Sequence, residues 1–236
     1  MESGSLSSKE FAAWTDDVIP FLHVTTRIEG FPNDGMLGEY GGRGFPTLLF
    51  LDADGKKLTE PGGRDVASFA ATGKSLAELS DLKARIEKGE KGLEGKLLAA
   101  ELALGSVDYP AAKERLAKIK KLDKATKARI AKLMVDAEVT HLFASVGRDR
   151  DKAMAAAERC VAMLKEGRVP EGRAAGQFWS GVMQWADSKQ DAEIFEKAVN
   201  WAKAQYADEP RAKSYLENLD KKLAEMKEAA KTDPKP

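Results

Sequence analysis

The stretch Tyr40–Gly55, YGGRGFPTLLFLDADG, most constrains what this chain can fold into. Thr47–Asp52 (TLLFLD) is a short, continuous apolar run bounded by turn residues. Its length and its Thr, Leu and Phe content predict a strand buried on both faces rather than a helix. Ala53, Asp54 and Gly55 then supply an Asp-Gly turn, because glycine takes the positive φ of the tightest hairpins. Lys56–Thr59 returns as a second strand. Phe45 and Pro46 stand before the run. Proline at the first position of a strand removes no central ladder bond, and an X-Pro bond accommodates a cis peptide at about 0.5–1 kcal/mol, against about 2.5–4 for other residues.

Tyr40-Gly41-Gly42-Arg43-Gly44-Phe45-Pro46-Thr47, followed by an apolar strand and Asp54-Gly55-Lys56, resembles the second half of thioredoxin-fold proteins. Gly62 and Gly63 resemble the glycine that precedes the last helix of that family. The resemblance covers about residues 1–88. It implies a cis proline that faces a redox site, with the backbone before it pairing with bound substrate, so that Gly44, Phe45, Pro46 and Thr47 are the substrate-binding residues. Two departures stand out. Gly42 occupies a position usually held by a β-branched residue, and no cysteine lies upstream where the family carries its Cys-x-x-Cys.

The cysteine count decides the chemistry. Cys160 is the single cysteine of 236 residues. It excludes an intramolecular disulfide and fits a reducing compartment. Dithiol exchange needs a nucleophilic thiolate and a resolving thiol, so the chain as it stands cannot run it. The first residues resemble the tail of a "C-x-x-C-x-x-M-E" helix, with Met1-Glu2 followed by Leu6, Ser7 and Phe11. One expectation is therefore that Met1 is an internal start and that a central strand and dithiol lie upstream. The other is a natural, degenerate thioredoxin-like domain. In either case Phe21–Thr26, read as a strand after Pro20, and Thr47–Asp52 face each other across a missing strand. Buried unpaired backbone groups cost about 1–3 kcal/mol each.

Charges balance, 38 cationic against 38 anionic side chains, so no global field favours nucleic acid or membrane. Residues 1–75 carry 7 Lys/Arg and 11 Asp/Glu, a local net charge of −4. No apolar run approaches the ~20 residues of a membrane span. MESGSLSSKEF has an early acid and no apolar core, so it does not read as a signal peptide. The compartment stays open.

Along the chain, Leu6–Trp14 reads as a helix capped by Ser7 or Ser8, Met36–Tyr40 as a short helix after the Asn33-Asp34-Gly35 turn, and Asp65–Ala71 as another. Ser75–Glu78 fits a capping box that opens a separate helix toward Glu87. Lys88–Gly92 is charged and glycine-rich, and residues 89–92 read as a linker. From 93 to 231 strand signals vanish. Helices are predicted at Leu93–Leu104, Pro110–Leu122, Lys124–Val146, Arg150–Lys165, Gly172–Ser188, Asp191–Tyr206 and Arg211–Lys231, with Asp108 and Asp208 as N-caps ahead of prolines. Residues 232–236 read as a disordered tail.

A 41-residue shift relates Ala112, Ala153 and Ile194, then Leu116, Ala157 and Ala198, then Ile119, Cys160 and Trp201. Each set forms the i, i+4, i+7 stripe of one helix face. Asp108–Leu116 resembles the second helix of a tetratricopeptide repeat. The later copies depart from it, with Arg150 and Asp191 in place of Tyr109 and a period longer than the usual 34 or so. Three helical hairpins with a capping helix, or a generic helical bundle, fit this region.

The remaining candidates are weak. Cys160 lies on an apolar stripe and reads as a buried structural thiol. His23 and His141 share no metal-ligand spacing with it, and neither a metal nor a cofactor is expected. Asp52 and Asp54 flank a turn and suit turn chemistry. The basic run Lys118–Lys132 reads as a solvated hairpin tip or a patch for an acidic partner. Phe178, Trp179, Met183, Trp185 and Trp201 form either core packing or a peptide groove.

The chain is thus expected to be an α/β thioredoxin-like N-terminal domain with an incomplete sheet (1–88), joined to an all-α helical-hairpin repeat domain (93–231). The function expected is a non-catalytic module that binds a protein or peptide partner. The alternative is a thiol–disulfide oxidoreductase whose Cys-x-x-Cys lies upstream of Met1.

Overall fold

A computed structural model describes residues 4–24, 33–42, 44–207 and 209–232. Contacts divide the chain into two units. One comprises residues 1–107 with 115–122, the other residues 108–114 with 123–236.

The first unit begins with a 3₁₀ turn at Ser5–Ser7 and helix α1 at Lys9–Trp14, where the Ser8 hydroxyl accepts the Phe11 N–H at 3.1 Å. Helix α2 spans Met36–Glu39. Strands β1 (Phe50–Leu51) and β2 (Lys57–Thr59) pair antiparallel around an irregularity. Helices α3 (Val66–Glu87) and α4 (Glu94–Leu104) follow. The aromatic pattern of α1 explains how this unit coheres. Phe11 and Trp14 meet Phe69 of α3 at 6.1 and 5.8 Å between ring centroids, and Trp14 meets Phe50 of β1 edge-on at 6.1 Å. Leu82, Leu93 and Ala100 close α3 against α4. The Thr59 hydroxyl donates to the Leu104 carbonyl at 2.9 Å and ties the ribbon to the end of α4.

This architecture overturns the α/β expectation. Among the described residues the sheet has two strands and everything else regular is helical. Phe21–Val24 form no strand, and Thr25 and Thr26 lie outside the described residues. The strand foreseen at Thr47–Asp52 shrinks to two residues, and Leu51 is 37% exposed rather than buried. The physical reason is backbone bookkeeping. A buried strand needs hydrogen-bonded neighbours on both edges, and β1 has one. The chain is predominantly α-helical, with a short ribbon packed on α1.

A second correction concerns α3. Residues 66–87 form one continuous helix. Asp65 caps it, accepting the Ser68 N–H at 2.9 Å, while the Ser75 hydroxyl donates back to the Ala71 carbonyl at 3.0 Å. Ser75 therefore opens no helix of its own.

Helix α5 (Tyr109–Lys118) spans the division between the units, with Asp108 accepting the Ala111 N–H at 2.8 Å. The second unit continues with α6 (Lys124–Ala144), α7 (Arg150–Lys165), α8 (Ala175–Lys189), α9 (Ala192–Tyr206), a 3₁₀ turn at Pro210–Ala212 and α10 (Lys213–Thr232). Asp208 and residues 233–236 lie outside the described residues. Asp123, Asp149 and Asp191 cap α6, α7 and α9, each accepting main-chain N–H groups of the first turn. Each helix from α7 to α10 packs on its predecessor, and α6 also reaches α8. The stripes seen in the sequence face inward in part: Ala112, Ala157, Cys160, Ile194 and Ala198 are buried, while Leu116, Ile119, Ala153 and Trp201 are half-buried. Gly181 lets α8 approach α7 closely, since a Cβ there would stand 2.9 Å from Phe143 Cζ and 3.5 Å from Ala157 Cα.

Five helix C-termini among the described residues share one pattern. Gly41, Gly89, Gly105 and Gly167 have positive φ after α2, α3, α4 and α7, and the following N–H closes a six-residue loop to the last turn. Helix α8 makes the same closure with Gln190 at φ 52°. A side chain in that region costs about 1 kcal/mol or more. Gln190→Gly is expected to stabilise the protein by about 0.5–1 kcal/mol, seen as a higher urea midpoint with an unchanged denaturant slope.

One ionic network was not visible in the sequence. Glu138 on α6 is 6% exposed. Its Oε1 accepts from Arg159 at 3.1 and 2.7 Å, and its Oε2 accepts from Arg168. Glu166 accepts from the same two guanidinium groups at 3.1 and 3.0 Å. Two residues earlier on α6, Asp136 accepts the Ala174 N–H at 3.1 Å, just ahead of α8. Burial pushes the Glu138 carboxyl up, but the hydrogen bonds from Arg159 and Arg168 outweigh it and hold the group below its ordinary value. A depressed folded-state value contributes stability above the unfolded value and loses it as pH falls through the folded one. Glu138→Ala is expected to cost about 1–3 kcal/mol at neutral pH, because Arg159 and Arg168 are partly solvated and keep Glu166 as a partner. The gap between wild type and Glu138→Gln should narrow as unfolding is repeated toward about pH 3.

Candidate functional site

The cleft that holds the foreseen binding loop is built from local turn chemistry. Helix α2 ends with Gly41 at φ 70° and a 2.8 Å bond from the Gly42 N–H to the Leu37 carbonyl. At the far side of the ribbon the Asp52 carboxylate accepts the N–H groups of Asp54 and Lys56 at 3.0 and 2.9 Å. This is the turn role foreseen for Asp52. The Tyr40 hydroxyl donates to the Gly55 carbonyl at 2.7 Å, so the end of α2 is fastened to the hairpin tip. Between these two fixed points runs the loop Gly44–Thr47. Its Phe45–Pro46 peptide is cis, and the Thr47 hydroxyl donates across the turn to the Gly44 carbonyl at 2.7 Å.

Gly44, Phe45, Pro46 and Thr47 together line an open cleft of about 650 Å³. The opposite wall comes from Glu60, Pro61, Gly63 and Arg64, the connection between β2 and α3. The sequence reading singled out the loop and Gly63 but missed Glu60 and Arg64, since a charge before a turn carries no signal of what it faces. Phe45 is 70% exposed. Glu60 is paired with Lys57 at 2.7 Å. Arg64 has no carboxylate partner among the described residues. Arg43 lies outside the described residues. Through its described residues the cleft therefore offers an exposed ring, glycine backbone and the Arg64 guanidinium.

Gly42 has a structural reason to be glycine. A Cβ there would run into the Leu37 side chain and stand 3.0 Å from both the Leu37 carbonyl and the Thr47 hydroxyl oxygen. The β-branched residue that the thioredoxin resemblance implies does not fit. Gly42→Val is expected to destabilise the first unit by about 1–3 kcal/mol, read as a lower thermal midpoint.

The other candidates resolve by burial. Cys160 is fully buried among the α7–α9 side chains. Burial, then the Glu138 charge, pushes its thiol up to about 12. Thiolate nucleophilicity at neutral pH is thereby suppressed. Cys160 is expected to resist iodoacetamide in the folded chain and to react within minutes in denaturant, as mass spectrometry will show. Phe178 and Trp179 belong to the core, with Trp179 stacked on Trp201 at 6.0 Å. Met183, Trp185 and Trp201 are half-buried against that core, so the aromatic-rich region contributes to packing. His141 packs on Tyr109 at 6.1 Å. Among the described residues no group of three His, Cys, Asp or Glu side chains is placed to hold a metal ion, and no helix is long and apolar enough to cross a membrane.

Comparison of the chain with protein families, curated proteins and solved structures returned no match.

Proposed function

We propose that this chain is a non-catalytic protein-interaction module that takes an extended peptide segment of a partner along Gly44–Thr47. The observation that carries this reading is Phe45, 70% exposed on a cleft whose floor is glycine backbone. An exposed aromatic ring at a concave surface offers a partner an apolar anchor. Glycines at 41 and 44 leave the main chain open to approach by another backbone, and a peptide bound this way gains affinity from main-chain hydrogen bonds and selectivity from side-chain pockets. Phe45 supplies the apolar contact and Arg64 the preference for an acidic group. The helical hairpins of the second unit serve as the scaffold, in the manner of a tetratricopeptide-like stack.

The oxidoreductase alternative gains no support from Cys160, whose burial and raised thiol unfit it for exchange. Panning a displayed peptide library against the whole chain tests the proposal. Selected peptides are expected to bind with micromolar Kd, to weaken tenfold or more with Phe45→Ser, and to be indifferent to Cys160→Ser. Failure to recover any peptide whose binding depends on Phe45 contradicts it.

A further inference from the structure

The most exposed apolar segment among the described residues is not in the cleft. Ile19, Phe21, Leu22 and Val24 are 96%, 72%, 80% and 62% exposed. They follow the 3₁₀ turn Thr15–Asp17, and residues 19–24 adopt neither helix nor strand. Four large apolar side chains are this exposed within six residues of sequence, a concentration of bare apolar surface that marks binding sites more often than a single exposed residue does.

Three further observations say what fits there. First, residues 19–24 make no hydrogen bond to any other described residue. Their main-chain donors and acceptors are free, and the partner that satisfies a row of them is another extended main chain. Pro20 has no N–H, so a strand would pair along the edge that carries residues 19, 21 and 23, not the edge of 20, 22 and 24. Second, Asp16 and Asp17 are exposed directly ahead of the segment and have no ion pair among the described residues. With residues 1–75 at a net charge of −4, the complement is cationic. Third, His23 Nε2 is shielded from water yet has no hydrogen-bond partner. A polar atom left in that state marks an arrangement that an incoming group can improve. The segment also starts from a fixed point, because Trp14 is held against Phe50 and Phe69, which limits the ordering needed on binding.

We infer that Asp16–Val24 is a docking segment for an extended, cationic and apolar strand of another protein, which adds to the chain by main-chain pairing while its basic side chains meet Asp16 and Asp17. This contact is separate in sequence from Gly44–Thr47 and stands or falls independently of it.

The test uses the full chain, isotope-labelled, with two synthetic peptides, one alternating Lys and Val and one alternating Glu and Val. The Lys/Val peptide is expected to shift the amide resonances of residues 16–24 with a salt-sensitive, micromolar Kd. Phe21→Ser with Leu22→Ser, and separately Asp16→Asn with Asp17→Asn, should each weaken it at least tenfold, whereas Phe45→Ser should leave it unchanged. These variants alter only exposed positions, and an unchanged circular dichroism spectrum confirms that the fold is retained. The inference is overturned if the shifts fall elsewhere, if the Glu/Val peptide binds equally well, or if the variants bind as the parent does. It is equally overturned if the segment proves to be occupied otherwise. That would appear in sedimentation velocity as a dimer abolished by Phe21→Ser with Leu22→Ser, or as binding to neutral phosphatidylcholine vesicles abolished by the same change.

Discussion

Every main-chain N–H and C=O taken out of water needs a partner, and a helix is the one element that supplies its own. That constraint orders this molecule. From Val66 onward the described chain is helix after helix, and those from α3 to α9 are closed by an aspartate cap or a left-handed terminal residue. Before Val66 the apolar runs at residues 19–24 and 47–51 would need neighbours on two edges to bury themselves as strands. Only Phe50 and Leu51 find one, in β2. What remains is a short ribbon held to α1 by rings and a set of apolar side chains in water.

The two units therefore solve different problems. The second buries Phe178, Phe195, Met163 and Val182 completely and places a carboxylate, Glu138, under two guanidinium groups. A buried charge pair seldom adds net stability over an apolar equivalent, but removing one partner is costly. Here the network joins α6, α7 and the connection to α8, and Asp136 adds a main-chain contact to the start of α8. The first unit invests less in burial and leaves Phe45 and Ile19–Val24 exposed. Binding surfaces tend to be drawn from such lightly packed regions, set on a more stable scaffold.

Much of the local structure was legible because its signals are local. Ser8, Asp108 and the Asp52–Gly55 turn declare themselves by residue type and spacing. The inward stripes through Ala112, Ala157 and Ile194 follow from helical periodicity. The α/β reading failed for a non-local reason. A run such as Thr47–Asp52 has strand composition whether or not a neighbouring strand exists, and composition does not count neighbours. The same limit hid Glu138, whose burial depends on Arg159 and Arg168, 21 and 30 residues away along the chain. It also hid the far wall of the cleft. The loop Gly44–Thr47 could be named from its own residues, but Glu60 and Arg64 meet it only in the fold.

Hydrogen exchange of the intact chain, followed by mass spectrometry, tests the central claim most directly. Helices α6 to α9 should hold their amides longest, while residues 19–24 and 44–49 should exchange at nearly the rate of an unstructured peptide. Protection of residues 19–24 and 47–51 comparable to that of α8 would contradict the account, because it would place both segments inside a sheet rather than on an open surface.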